Sequence, residues 1–353
     1  MLMRSLVRAA LLTVGVSIAA TSIAATEARA GGPDFTTGYN QAWLEQDYGH
    51  DMTSSFAPQN AERLMQRVRA SGGLAVRLWL FEGRKKEGIL WQGTRAVGVD
   101  PAMLQNVEII MQAARRHGVK VYWTALSANW VWPQKDQWAY AHYNLLNNKY
   151  GCTESFKWNV LLPILDRIMP YSDSLYGLDL LNEVQAAVKH WQFSKGWKGA
   201  QAWIEDMVDF VHFWAPGLPV TASSGHSEAV DDLLAERFCG LGLDFYDVHL
   251  YNDQGSIPRG WELRALAQRT RTPIVLGEFG QRTETRDDEL QRQVTWYFLW
   301  RARNYGFTGA FAWRLDDDRD TPGYAAHHSY YIDGRQRPAV WLVRYFSWYF
   351  SYR

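Results

Sequence analysis

Asp100-Pro-Ala-Met-Leu-Gln-Asn-Val-Glu-Ile-Ile-Met-Gln-Ala-Ala-Arg-Arg-His-Gly118, continuing without a break as Val119-Lys-Val-Tyr-Trp-Thr-Ala-Leu126, reads as a helix running into a strand. Asp100 is placed to cap the helix, Pro101 suits its first turn, basic residues fill its last turn and Gly118 ends it. The same alternation can be followed along the chain. Strands are predicted over 35–41, 74–81, 119–126, 176–182, 219–223, 245–250, 273–277 and 309–314. Helices are predicted near 59–70, 101–117, 155–169, 198–213, 228–238, 260–270, 287–305 and 338–349. Strands separated by helices pair in parallel, and eight such units in this length favour a closed (β/α)8 barrel, a TIM barrel of α/β class. The alternative is a doubly wound open sheet, but no Gly-x-Gly-x-x-Gly follows the first strand.

The chain opens on basic residues, Arg4 and Arg8, and continues into the apolar, Ala-rich run 9–25, with Ala28-Arg29-Ala30 after it. That layout is a secretory leader ending in a small-x-small cleavage site, so residues 1–30 are expected to be removed and 31–353 to form the barrel domain. A retained N-terminal anchor is the alternative. Either way the protein is expected to be secreted or periplasmic, with no membrane contact once the leader is cut. Lys plus Arg and Asp plus Glu number 37 each, and the net charge is zero. Nucleic acid and anionic membranes are therefore poor candidates as partners. Two cysteines, Cys152 and Cys239, cannot make a disulfide framework, and the barrel reading puts them on opposite faces, too far apart to bond. A monomer is expected.

Trp is abundant, 18 residues beside 18 Tyr and 15 Phe. Many must fill the core, yet Trp130, Trp132, Trp138, Trp191 and Trp197 stand among polar residues in predicted loops. Flat rings next to hydrogen-bonding groups suit the faces of sugars. Long connections at 127–154 and 315–337 follow strand C-terminal ends, where barrel enzymes build their sites.

Two strands end on a carboxylate. Gly177-Leu-Asp-Leu-Leu-Asn-Glu-Val184 closes the fourth strand with Asn182 and Glu183, and Pro273-Ile-Val-Leu-Gly-Glu-Phe-Gly280 puts Glu278 at the end of the seventh. Those strands face each other across a barrel, so both carboxylates can reach one bound molecule. Two carboxylates about 5–5.5 Å apart serve a retaining glycosidase. Arg77 lies within the second strand, in Val76-Arg-Leu-Trp79, where it can orient a carboxylate by a bidentate hydrogen bond. His249 and Tyr251 finish the sixth strand in Asp247-Val-His-Leu-Tyr251, and Trp313 comes late in the eighth. The acidic run at Asp316–Asp320 with His327-His328 has no metal-binding spacing and reads as a solvated loop. Ser223-Ser224-Gly225-His226 lacks a nucleophile-elbow pattern but can still line a cleft. No metal or cofactor is implied.

These residues, on five separate strands in the right order, resemble the clan A glycoside hydrolases, and most of all family 5. Val76–Phe81 and Pro273–Phe279 are similar to endo-β-mannanases, with β-glucanases sharing much of the pattern. The resemblance covers the whole predicted barrel. It implies retaining hydrolysis of a β-linked polysaccharide or oligosaccharide, with Glu183 as acid/base and Glu278 as nucleophile. By the same resemblance Asn182 would bond the sugar 2-hydroxyl, Tyr251 would touch the nucleophile, His249 would line the site and Trp313 would floor it. Trp79, beside Arg77, would be a further substrate contact. The acid/base role requires Glu183 to hold a proton near neutrality, hence a raised pKa, while Glu278 stays ionised beside Arg77 and Tyr251. A hydrolase trimming the cell's own exopolysaccharide, or an inactive carbohydrate-binding barrel, is the alternative. The family usually has Pro after the acid/base Glu; here Val184 stands there.

Overall fold

Eight parallel strands surround a common axis in the computed structural model: β1 Thr36–Asn40, β2 Ala75–Trp79, β3 Lys120–Ser127, β4 Leu175–Asn182, β5 Val220–Thr221, β6 Tyr246–Tyr251, β7 Ile274–Gly280 and β8 Gly309–Ala312. The structure describes residues 35–44, 52, 53, 55–81, 88–128, 137–282, 286–316 and 328–351. The predicted leader, Trp130, Trp132, Asp317–Asp320 and His327 lie outside them, as does the side chain of Trp138. Hydrogen bonding joins the strands in the order β5-β4-β3-β2-β1-β8-β7-β6. A parallel bridge between Ser224 and Val248 closes the ring, Ser224 N donating to Asp247 O at 2.9 Å and His249 N to Ser224 O at 2.8 Å. The expected closed (β/α)8 barrel is the observed fold. Among the described residues no helix is long and apolar enough to cross a membrane.

The helix that opened the reading spans Pro101–His117. The Asp100 carboxylate accepts from Ala102 N, and Gly118 ends the helix at φ 62°, a left-handed conformation glycine adopts without strain. Helices Pro58–Ala70, Gly196–Trp214, Gly260–Thr270, Asp288–Asn304 and Ala339–Ser351 also lie where periodicity puts them. The stretch predicted as one helix at 155–169 is broken. It runs Cys152–Phe156, widens into a π turn over Lys157–Leu161, and resumes over Leu162–Ile168. Pro163 accounts for the break, because it lacks an N–H and its ring presses on the carbonyl four residues back. The long connection 127–154 contains a helix, Gln137–Leu146, and two short antiparallel hairpins, Ile89–Gln92 with Arg95–Val99 and Tyr331–Ile332 with Arg335–Gln336, escaped the pattern reading.

The barrel axis is filled by aromatic rings. Tyr122 meets Phe245 and Phe311 at 5.6 Å between centroids, and Tyr176 meets Phe311 at 5.1 Å. Space for them comes from glycine: a Cβ on Gly38 would lie 2.4 Å from the Phe311 ring. The larger apolar layer lies between strands and outer helices, with residues such as Val107, Ile164, Met207 and Phe298 fully buried. Trp197 belongs to this outer packing and not to a loop: it sits in the helix Gly196–Trp214, against Phe238 and beneath Arg237. Cys152 and Cys239 are both free thiols. Asp316 is not merely solvated, since Arg67 pairs with its carboxylate.

Candidate active site

Arg77 stands inside the barrel with no exposed surface, and a guanidinium there requires partners for its charge. It has four. Nη1 donates to Glu278 Oε1 at 2.6 Å and to Asn40 Oδ1 at 3.3 Å; Nη2 donates to Asp179 Oδ2 at 2.6 Å and to Asn182 Oδ1 at 2.7 Å. The fork is thus divided between two carboxylates on facing strands, not given bidentately to one as its sequence position suggested. The neighbouring strands set this level, with Asn40 opposite Arg77 and Arg77 opposite Tyr122. Tyr122 OH donates to Oδ2 of a third buried carboxylate, Asp247.

Glu278 is aimed inward by a bulge in β7. Val248 pairs with Leu276 and His249 with Glu278, while across the other edge Ala310 pairs with Leu276 and Ala312 with Phe279. Both neighbours therefore skip one residue of β7 around Gly277, a device that redirects a side chain. Only glycine fits there, because a Cβ would lie 2.0 Å from Asp247 Oδ1. With one carboxylate oxygen on Arg77, Glu278 accepts from Tyr251 OH at 2.6 Å on the other.

Glu183 follows β4 at φ 57°, ψ 60°, left-handed and strained for a non-glycine residue. Its Oε1 is 3.1 Å from His249 Nδ1 and its Oε2 is 3.2 Å from His226 Nε2. One oxygen of Glu183, one of Glu278 and His249 Nδ1 all lie within 4.8 Å of one another. Among the described residues this is the sole His, Cys, Asp or Glu group close enough to share a cation, but Arg77 already presses a positive charge on Glu278. The donor set suits a shared proton better than a metal ion.

Electrostatics distribute that proton unexpectedly. Burial opposes a charge on His249, yet Glu278 and Asp247 outweigh it and push its pKa up to about 10. Burial likewise opposes ionisation of Glu183, but the His249 hydrogen bond and the charges of His249, His226 and Arg77 hold it below the ordinary range. For Glu278 burial wins, helped by the Glu183 charge, and raises it despite His249, Arg77 and Tyr251. The sequence reading expected the opposite order, a raised Glu183 and an ionised Glu278. Its omission was the imidazolium, which neutralises Glu183 first.

Trp313 follows β8, its backbone N–H donating to Phe279 O at 2.9 Å, and the peptide to Arg314 is cis. Its ring lies 5.9 Å from Trp79 and 6.5 Å from Trp43, and Trp43 and Trp79 meet at 5.7 Å. Trp79 is 4% exposed, so its ring backs Trp313 more than it faces the cleft. The structure thus brings together Arg77, Asn182, Glu183, His249, Tyr251 and Glu278, with Trp79 and Trp313 packed beside one another. Asp179, Asp247 and Tyr122 were missed, and of His226 only a place lining the cleft was read. The two aspartates had a legible signal: each interrupts an apolar strand, as Arg77 does, and buried charges of opposite sign imply one another.

No protein-family model matches the chain. A mannan endo-1,4-beta-mannosidase from Mytilus edulis is 24% identical over an alignment 324 residues long, which covers 80% of this chain and 84% of that protein. Among solved structures, an exo-beta-1,4-mannosidase from Opitutaceae bacterium strain TAV5 superposes with a TM-score of 0.68 at 16% identity, over 91% of this chain. The chain spans 60% of the length of that protein. A β-1,4-D-mannanase from Cryptopygus antarcticus superposes with a TM-score of 0.66 at 18% identity, over 89% of this chain and 91% of that one. A GH5_18 protein from Streptomyces cattleya gives 0.65 at 14% identity, over 91% and 81%. The resemblance to family 5 glycoside hydrolases is borne out at the level of fold.

Proposed function

We propose that this chain is a retaining β-glycoside hydrolase acting within β-1,4-linked mannan chains, with Glu278 as nucleophile and Glu183 as acid/base. The observation that carries the reading is the approach of the two carboxylates, one oxygen of each within 4.8 Å. An inverting enzyme needs room for a water between its carboxylates, about 6.5–9.5 Å, whereas direct attack by one of them needs the shorter gap. The mannan-active relatives support the choice of polymer. Residues 1–30 would direct the protein out of the cytoplasm, where such a polymer is met.

The first step joins Glu278 to the anomeric carbon as the glycosidic bond breaks and Glu183 protonates the departing oxygen. Arg77 and Tyr251, one on each Glu278 oxygen, fix the plane of the nucleophile. Asn182 accepts from Arg77 through its carbonyl, which leaves its amide NH2 to donate to a sugar hydroxyl. The proton for the leaving group is carried in the resting site by His249. Charged His249 beside ionised Glu183 holds as many protons as neutral His249 beside Glu183 acid. Transfer along the 3.1 Å contact from Nδ1 to Oε1 exchanges one for the other. In the second step Glu183 takes a proton from water, whose oxygen attacks the anomeric carbon and releases Glu278.

Hydrolysis of β-1,4-manno-oligosaccharides followed by proton NMR tests this reading. The first product is expected in the β configuration, and Glu183→Gln and Glu278→Gln are each expected to lower turnover about a thousandfold or more. A first product in the α configuration, or near-normal turnover in either variant, contradicts it.

A further inference from the structure

The acid/base residue sits in a conformation that it does not favour, and the groups that hold it there come from one loop. Glu183 N donates to Ser223 Oγ at 2.9 Å, and the next amide, Val184 N, donates to Ser223 O at 3.1 Å. Ser223 thus binds both sides of the left-handed turn. Gly225 passes so close that a Cβ would lie 2.3 Å from the Glu183 carboxylate. Its own amide donates to Gln185 Oε1 at 2.9 Å, and the Gln185 amide donates to Ser224 Oγ, so the loop is clipped back onto the helical turn Val184–Lys189. His226, itself left-handed at φ 61°, brings Nε2 to 3.2 Å from Glu183 Oε2 while His249 holds Oε1.

We propose that Ser223–His226 is a cradle of positioning residues for the acid/base, in which Ser223 fixes the Glu183 backbone, Gly225 admits its carboxylate, and His226 holds the oxygen that His249 does not. This rests on Glu183 being the acid/base. The cradle sets the carboxyl plane before substrate arrives, so the proton is delivered along one direction. The other groups facing Glu183 are His249 and Asp247 on β6, Glu278 on β7 and Arg77 on β2, with Glu228 farther along the loop and paired to Lys189 at 2.6 Å. His226 is the partner of Glu183 that is 42% exposed, so replacing it leaves the buried network intact.

The test is His226→Asn, because asparagine tolerates the left-handed backbone but supplies no cation. The pH profile of kcat/KM is measured with a manno-oligosaccharide, whose leaving group needs a proton, and with a 2,4-dinitrophenyl β-mannoside, whose leaving group does not. Without His226 the Glu183–His249 pair loses a neighbouring positive charge and keeps its shared proton to higher pH. The alkaline limb for the oligosaccharide is therefore expected to move up. Its plateau is expected to fall about tenfold while the dinitrophenyl substrate changes by less than about twofold. Gly225→Ala is expected to give the same selective loss by displacing the carboxylate. Equal losses on both substrates with an unmoved limb, and an unchanged melting temperature, overturn the proposal. If the unmodified protein cleaves neither substrate, it is the hydrolase reading that fails.

Discussion

At the scale of single residues, Arg77 organises the site. Its fork reaches Glu278, Asp179 and Asn182 together, and burial of that cation is outweighed by the carboxylates, which raise its pKa. Arg77→Met strips the buried Asp179 of the guanidinium paired with it and leaves Glu278 with His249 as its remaining positive neighbour. It is expected to cost about 3–5 kcal/mol in denaturant unfolding. Arg77→Lys keeps the charge but not the fork, and one ammonium cannot span Glu278 and the Asp179–Asn182 pair. A loss of about a hundredfold in kcat/KM, with far less destabilisation than Arg77→Met, is the expected signature. Near-normal kcat/KM in Arg77→Lys would show that the split fork does not matter.

At the scale of elements, two local departures from regular geometry place the carboxylates. The bulge at Gly277 turns Glu278 inward, and the left-handed Glu183 turns its own side chain toward β6. Gly277→Ala drives a Cβ into Asp247 and is expected to cost about 1–3 kcal/mol, read from thermal or denaturant unfolding. Val184, where the family usually has proline, has a physical reason here. Its N–H reaches Ser223 O, and a proline would also bias residue 183 away from its helical-type backbone. Val184→Pro is expected to reduce kcat/KM well below that of Val184→Ala, which keeps the donor; equal activity in the two would refute this account. These elements mark how far the sequence could be read. Glu183 and Glu278 were conspicuous because a carboxylate ending an apolar strand is rare, and the strand order followed from hydrophobic runs alternating with capped helices. The bulge and the cradle were not legible, since each is made by contacts between strands and loops that meet only when the barrel closes, whereas the π turn had a local signal in Pro163. Of the loop Ser223–His226 only its place near the cleft could be read, because its work is done by a backbone oxygen and a missing Cβ. The pKa order failed for a related reason, as His249 is adjacent to Glu183 in space and 66 residues away in sequence.

At the scale of the whole molecule, the barrel converts eight modest strands into one mouth where residues from β1 to β8 converge. The aromatic plug of Tyr122, Tyr176, Phe245 and Phe311 supports that mouth from beneath. The zero net charge suits a neutral polymer, which is recognised by ring stacking and hydrogen bonds and not by attraction at a distance. Raising sodium chloride from 50 to 500 mM is therefore expected to change kcat/KM on mannan by less than about twofold; a steep salt dependence would point to a charged substrate. The central claim, that Glu278 forms the covalent bond to the sugar, is tested most directly by trapping it. After incubation with a 2-deoxy-2-fluoro-β-mannosyl fluoride, mass spectrometry of the digested protein is expected to find one added sugar on the peptide carrying Glu278. An unlabelled protein that remains able to hydrolyse mannan, or a label on any other residue, would contradict it.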